Sequence, residues 1–322
     1  MGRLTQQALN ELESLCPGGI ERDVSLASIS QWGIGGTADT VIRPSTSQQL
    51  ADLRRWFYQH DVHHLTIGST SNLLFADEGL RAPCIQLGNR LSHVSIDKNV
   101  VHAQAGVWVP SLARQLMLSG LTGGEHICGI PGTLGGLVCM NGGSQRKGIG
   151  SHVESIESVG VTGEVVHRAA SDCRFAYRSS VYQTNNEVIT SVKLKFDDGQ
   201  AKQIRQEMLA ILADRSRKFP RKLPNCGSVF KSNPAMYAEV GAPGTIIEKL
   251  GFKGYSIGDA FVSPMHANFI VHNGQGMAKD VLSLINEISE KVLLETGYKM
   301  EVEVIYVTPN GVFLPADQAD SK

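Results

Sequence analysis

Leu4, Ala8-Leu9, Leu12 and Leu15 recur at helical spacing, which predicts an N-terminal helix ended by Pro17-Gly18-Gly19. From Asp39 the pattern becomes short apolar runs alternating with helical ones. Thr40-Val41-Ile42 reads as a strand stopped at Pro44. Ser45-Thr46-Ser47 then offers N-caps to a helix with Leu50, Leu53, Trp56 and Phe57 on one face. Residues 64–67 form a strand that runs straight into Gly68-Ser69-Thr70-Ser71-Asn72. Residues 84–87 and 100–105 are further strands, and Pro110 suits the first turn of a helix that buries Leu112 and Leu116 and stops at Gly120. Residues 153–196 are strand-rich again. Ile204, Met208, Leu209 and Leu212 predict a helix that ends in Arg215-Ser216-Arg217-Lys218 before Pro220. Met277, Val281, Leu282, Ile285, Ile288 and Val292 predict another, ended by Gly297. Strict alternation over residues 300–307 marks a last strand, and the polar residues from Pro309 are expected to fray. The pattern divides the chain into an N-terminal helical segment (1–29), an α+β domain (30–200), a second α+β unit (201–310) and a polar tail (311–322).

Composition adds limits. The chain has 322 residues, 42% apolar and 19% charged, a globular balance with room for about two domains. Its 30 basic and 31 acidic residues leave a formal charge of −1, which argues against non-specific nucleic-acid binding. No apolar run approaches the ~18 residues of a membrane span. The opening residues carry acidic groups and no apolar stretch, so no secretion signal is expected, and Gln6 stands where N-myristoylation needs Ser or Thr. The six cysteines and ten histidines show no metal-ligand spacing, so free thiols in a reducing compartment and no metal are expected.

Glycine is the more informative residue, with 34 copies, many of them clustered. Gly68-Ser69-Thr70-Ser71-Asn72 suits a turn whose N–H groups face an anion, or a plain polar turn. Gly129-Ile130-Pro131-Gly132-Thr133-Leu134-Gly135-Gly136, followed by Asn141, lets backbone approach a flat or diphosphate-bearing ligand, or serves tight packing alone. Neither stretch fits a dinucleotide GxGxxG or a P-loop. Arg178, in Tyr177-Arg178-Ser179-Ser180, either grips a carboxylate or is a surface cation. Ser228 follows a glycine without a nucleophile elbow, which argues against a hydrolase. Glu303 shares its strand face with Ile305 and Val307, so it is either half-exposed at a strand end or functional.

Taken together, Trp32-Gly33-Ile34-Gly35-Gly36-Thr37-Ala38, the 68–72 turn, Cys128-Gly129-Ile130-Pro131-Gly132 with Gly135-Gly136 and Asn141, Tyr177-Arg178-Ser179-Ser180, Gly227-Ser228-Val229-Phe230-Lys231 and residues 301–304 resemble the UDP-N-acetylenolpyruvoylglucosamine reductase (MurB) family. The resemblance covers residues of about 30 to 308 and looks like the compact subtype without an extra tyrosine-bearing loop. It implies an FAD-binding domain of the vanillyl-alcohol-oxidase (PCMH) type followed by a smaller α+β substrate domain, with FAD held non-covalently and NADPH as hydride donor. Gly68, Ser69, Thr70, Ser71 and Asn72 would cradle the pyrophosphate. Gly129, Ile130, Pro131, Gly132, Gly135, Gly136 and Asn141 would complete the cofactor site. Arg178, Ser228 and Glu303 would be catalytic, and Lys218, Tyr177 and Asn233 would hold the UDP-sugar. The expectation is a cytoplasmic monomer or weak oligomer of peptidoglycan precursor synthesis, without nucleic-acid or membrane partners.

Three positions depart from the family pattern: Thr70 replaces a glycine, Gly142-Gly143-Ser144-Gln145-Arg146-Lys147-Gly148 replaces Ala-Gly-Ala-Tyr-Gly, and Ile305 replaces an arginine. They keep open a related reductase acting on another enolpyruvyl sugar. A catalytically silent flavin-binding protein is a further alternative, against which the retained Arg178, Ser228 and Glu303 speak.

Overall fold

The computed structural model describes residues 3–232 and 234–319. The first half builds two sheets around one core. A mixed four-stranded sheet runs Ile20–Ser25, Thr37–Ile42, Cys84–Gln86 and Leu65–Ile67, antiparallel in its first pair and parallel thereafter. An antiparallel five-stranded sheet runs Val165–Ala169, Val153–Val159, Val188–Lys195, Val100–Gln104 and Val94–Asp97. Helix Ser47–Gln59, capped by the Thr46 hydroxyl, buries Leu50, Leu53, Trp56 and Phe57 in the core that both sheets share. This is the α+β fold the pattern predicts. The six cysteines are free.

A second core forms around helix Ala278–Thr296, which lies on the hairpin sheet Ser256–Ile257, Ala260–Val262 and Ile270–His272 and ends at Gly297 in the left-handed conformation. It is not purely C-terminal. Trp32, Ile34 and Leu74 are buried in it. The Trp32 indole donates to the Ile270 carbonyl (3.2 Å), and His272 Nε2 donates to the Trp32 carbonyl (2.6 Å). A third sheet ties the halves together: Leu73–Phe75 pairs in parallel with Ile305–Val307, and Phe313–Pro315 pairs antiparallel on the outer edge.

Three expectations need correction. Residues 1–29 are not a helical segment alone. Helix Gln6–Leu15 is followed by strand Ile20–Ser25, whose Ile-Glu-Arg-Asp-Val-Ser sequence buries only Val24 and so carries no apolar alternation. Residues 311–319 are not a frayed tail. They supply strand Phe313–Pro315 and the turn Ala316–Gln318, with Ala316 and Ala319 buried in the second core. Helix Ala201–Lys218 does not belong to the second unit. Its Ile204, Met208 and Ile211 are buried in the first core, while Leu209 is exposed. Helical spacing identifies a face but not the neighbour it meets, so the boundary between cores falls after Lys218 rather than before Ala201.

Ile211→Ala is therefore expected to lower the stability of the first core by about 2–4 kcal/mol, the range for a truncated buried aliphatic. Leu209→Ala is expected to change it by less than about 0.5 kcal/mol. Urea denaturation of the two variants checks this.

Candidate active site

A cleft of about 1670 Å³ runs between the two halves, well above the roughly 300–1,000 Å³ of a drug-sized pocket. Gly68, Thr133, Gly135, Gly136, Arg178, Lys231, Glu301 and Glu303 are among the residues lining it.

Strand Leu65–Ile67 delivers the 68–72 turn to this wall. Among the described residues, none accepts a hydrogen bond from the amide N–H groups of Gly68, Ser69, Thr70, Ser71 or Asn72. Successive amides without acceptors in a tight turn are a candidate nest for an anion. Thr70 takes a left-handed φ of 57°, a conformation that is costly for a β-branched residue. Its buried hydroxyl offsets that cost: it lies 3.0 Å from the Ile29 carbonyl and accepts from the Gln31 amide at 3.3 Å. Asn72 looks the other way. Its Nδ2 donates to the Glu303 carbonyl (2.8 Å), and its own carbonyl accepts from the Ile305 amide (3.1 Å).

Gly68 packs on Thr133, whose Oγ1 a Cβ at Gly68 would overlap. Beyond its own helix, a Cβ at Gly136 would meet only Thr133 Oγ1, at 3.5 Å, and would otherwise take space from the cleft. The glycine-rich stretch splits by role. Gly135 and Gly136 line the cleft. Gly132 abuts Ser71, whose Oγ would lie 3.2 Å from a Cβ there. Gly129 is pressed against the Arg215 side chain, Ile130 packs on the first core and Pro131 is exposed. Asn141 is a strut: its Nδ2 donates to the Ala176 carbonyl (2.9 Å) and its Oδ1 accepts from the Gly150 amide (2.9 Å).

That strut supports a two-residue hairpin in which Ala176 and Ser179 exchange backbone hydrogen bonds around Tyr177 and Arg178. Arg178 adopts φ 52°, which turns its side chain into the cleft while Tyr177 stays largely exposed. Gln183 Nε2 donates to the Arg178 carbonyl (3.0 Å) and the Ser180 hydroxyl to the Cys139 carbonyl (2.6 Å), which pins the turn. Arg178 Nε lies 3.2 Å from Glu303 Oε1 without hydrogen-bond alignment, and is buried with no acceptor among the described residues. The guanidinium is thus held beside a carboxylate with donors to spare.

Glu303 sits in an antiparallel pairing with the Ser228 segment. Phe230 bridges Val302, the Lys231 amide donates to the Glu301 carbonyl (2.8 Å), and the Glu303 amide to the Val229 carbonyl (2.8 Å). Ser228 is half-buried one residue before that pairing, with the Asn268 side chain fixing both backbone groups of Phe230. Burial raises the Glu303 pKa above the ordinary carboxylate range, and the nearby Arg178 and Lys231 cations pull it partly back. Lys231 pairs with Glu301 at the rim.

Lys218 is not brought to the cleft. It ends its helix exposed and paired with Asp214 (2.8 Å). Asn233 lies outside the described residues. The half-buried cation of that helix end is Arg215, stacked on Phe219 at 4.9 Å. Residue patterning missed Thr133 and Lys231, which line the cleft, whereas Arg215 packs against Gly129 and Phe219. Thr133 and Lys231 stand inside the glycine-rich and Gly-Ser-Val-Phe-Lys motifs, and that position is the signal that could have found them.

Two family profiles match the chain: an FAD-binding domain over residues 38–168, and the C-terminal domain of UDP-N-acetylenolpyruvoylglucosamine reductase over residues 219–307. UDP-N-acetylenolpyruvoylglucosamine reductase 1 of Corynebacterium glutamicum is 41% identical over 296 residues, covering 92% of this chain and 88% of that protein. The Prochlorococcus marinus reductase is 36% identical, covering 88% and 97%. The solved structure of the Thermus caldophilus reductase superposes with a TM-score of 0.76 at 28% identity, covering 89% of this chain and 98% of that one. Amides without acceptors in the 68–72 turn, whose Gly68 lines the cleft, and the side-chain-free wall at Gly135 and Gly136 suit a flavin dinucleotide: donors for a pyrophosphate, and backbone that a ring can approach.

Thr70→Ala is expected to destabilise the protein by about 1–2 kcal/mol and weaken FAD, because it loses the hydroxyl contacts and keeps the left-handed strain. Thr70→Gly is expected close to the unmodified protein, because strain relief of about 1–2 kcal/mol offsets those losses. Thermal denaturation with a parallel FAD titration separates the two.

Proposed function

The chain belongs to the UDP-N-acetylenolpyruvoylglucosamine reductase family, and on that premise we propose that its cleft reduces UDP-N-acetylglucosamine enolpyruvate to UDP-N-acetylmuramate through Arg178, Glu303 and Ser228. The observation that carries this reading is the Arg178–Glu303 pair, half-buried in a cleft beside an amide nest. The reaction is the reductase step of peptidoglycan precursor synthesis.

Gly68, Ser69, Thr70, Ser71 and Asn72 would hold the pyrophosphate of FAD, and Gly135 and Gly136 would give it a wall without side chains. FAD held there would supply the two-electron chemistry between NADPH and the enolpyruvyl ether, whose methylene carbon takes up the hydride. Once that carbon becomes a methyl, negative charge collects on the ether-bearing carbon and spreads into the adjacent carboxylate. The Arg178 guanidinium, with its Nε free of protein acceptors, stabilises that charge. Glu303 in its protonated form donates a hydrogen bond to the same carboxylate, a role its raised pKa favours. Ser228 passes a proton to the ether-bearing carbon, which yields the lactyl ether and completes the balance of one hydride and one proton.

Tyr177, Lys218 and Asn233 are proposed for the UDP portion. Lys218 then reaches the phosphates only by leaving Asp214, an exposed pair that contributes little stability. The compact subtype, a cytoplasmic setting and a monomeric or weakly associating state belong to the same reading. Six free cysteines support the cytoplasmic part of it.

Anaerobic spectroscopy tests the assignment. The yellow holoprotein is expected to bleach with NADPH and regain colour with UDP-N-acetylglucosamine enolpyruvate; bleaching that this substrate does not reverse would overturn it. Arg178→Ala is expected to cut kcat by about 10²–10³ while leaving the NADPH bleaching step intact. Activity is expected to fall as pH rises through the raised Glu303 pKa, because the donor proton is lost there. Glu303→Gln keeps a donor without a titration, so its kcat–pH profile is expected to lose that alkaline limb.

A further inference from the structure

We propose that the segment following Val307, from Thr308 through Gln318, is a wall of the cofactor cleft that grips the adenosine half of FAD. This rests on the reading of the cleft as the flavin site. It concerns a segment that lies beyond the matched reductase domain, which ends at residue 307.

The segment is anchored at both ends. The Arg81 amide donates to the Pro309 carbonyl (2.7 Å), His63 Nε2 donates to the Gly311 carbonyl (3.2 Å), and a Cβ at Gly311 would lie 3.1 Å from Leu65 Cδ2. At the far end the Ala316 amide donates to the Val304 carbonyl (3.0 Å), and Ala316 is buried in the second core. Between these anchors, Val312, Phe313, Pro315, Asp317 and Gln318 line the cleft.

The side chains it presents are unusual for a surface. Val312 and Phe313 are 46% and 44% exposed, and across the same cleft Tyr58 and Val161 are 58% and 40% exposed. Exposed apolar groups from three separate elements converge on one opening, the signature of a site that takes an apolar, flat partner.

The register identifies which part of a dinucleotide that is. Phe313 pairs with Val307, four residues along the strand from Glu303, or about 13 Å at roughly 3.3 Å per residue. Gly311 contacts Leu65, the opposite end of strand Leu65–Ile67 from the 68–72 nest, about 10 Å away by the same spacing. With the pyrophosphate on the nest, one half of the cofactor extends toward Arg178 and Glu303. The other half meets Phe313, Val312 and Tyr58. That half is the adenosine.

FAD and FMN titrations of the full-length protein test this, since FMN lacks the adenosine. Phe313→Ser removes an exposed side chain and spares both anchors. It is expected to weaken FAD about tenfold, the loss of one aromatic contact, and to leave FMN affinity unchanged. Leu294→Ser, 78% exposed on helix Ala278–Thr296 and away from the cleft, is expected to change neither. Unchanged FAD affinity in Phe313→Ser, equal weakening of FAD and FMN, or an effect confined to the KM for NADPH would each overturn the proposal. An unmodified protein that binds neither flavin would instead remove the flavin reading on which it rests.

Discussion

Keeping the Glu303 carboxylate out of water beside the Arg178 guanidinium is the constraint that the remaining structure serves. Desolvating either group costs several kcal/mol, and their mutual attraction repays this only while the geometry is held. Neither residue can hold it alone. Arg178 sits on a two-residue turn in a left-handed conformation, and Glu303 sits just before a strand that pairs in parallel with Leu73–Phe75, far away in the chain. Hence the density of struts around them: Asn141 and Gln183 behind the arginine, and Asn72 and the Ser228 segment behind the glutamate. Several residues that look like ligand contacts in sequence are spent on this support.

The same constraint explains why the two cores interlock. Trp32, Ile34 and Leu74 from the first third of the chain are buried in the second core, and helix Ala201–Lys218 packs on the first. A hinge between loosely joined units would let the Arg178 and Glu303 walls drift apart. Here a sheet of Leu73–Phe75 and Ile305–Val307 joins the two halves, which also exchange buried side chains, so the distance between the walls is set by packing.

Local pattern made much of this legible. Helix Ser47–Gln59, strand Leu65–Ile67 and the turn after it follow from period, caps and glycine, while the strand expected over residues 300–307 is only Ile305–Val307 and leaves Glu303 just before it. What stayed hidden depends on partners far away in sequence. Strand Ile20–Ser25 buries one residue of six and leaves no alternation to detect. The docking of residues 313–319 comes from pairing with Ile305–Val307, which polar composition does not encode. Leu209 and Ile211 differ only in which neighbour meets their side of the helix. Thr70 breaks a glycine pattern, and only its bonds to Ile29 and Gln31 explain how a threonine keeps the turn. Arg215 is one cation among several in its cluster until its stacking on Phe219 is seen.

The bond from Asn72 to Glu303 spans 231 residues. Contacts of such separation carry a large loop-closure entropy and form late in folding. During synthesis strand Leu73–Phe75, which follows the nest, emerges from the ribosome long before its partner exists. Most of the first core can assemble on the growing chain, but strand Leu73–Phe75 waits with an open edge until the last segment arrives. A chain stopped short of Ile305 would therefore be mostly folded, would lack the finished site, and would expose a strand edge open to aggregation or chaperone capture.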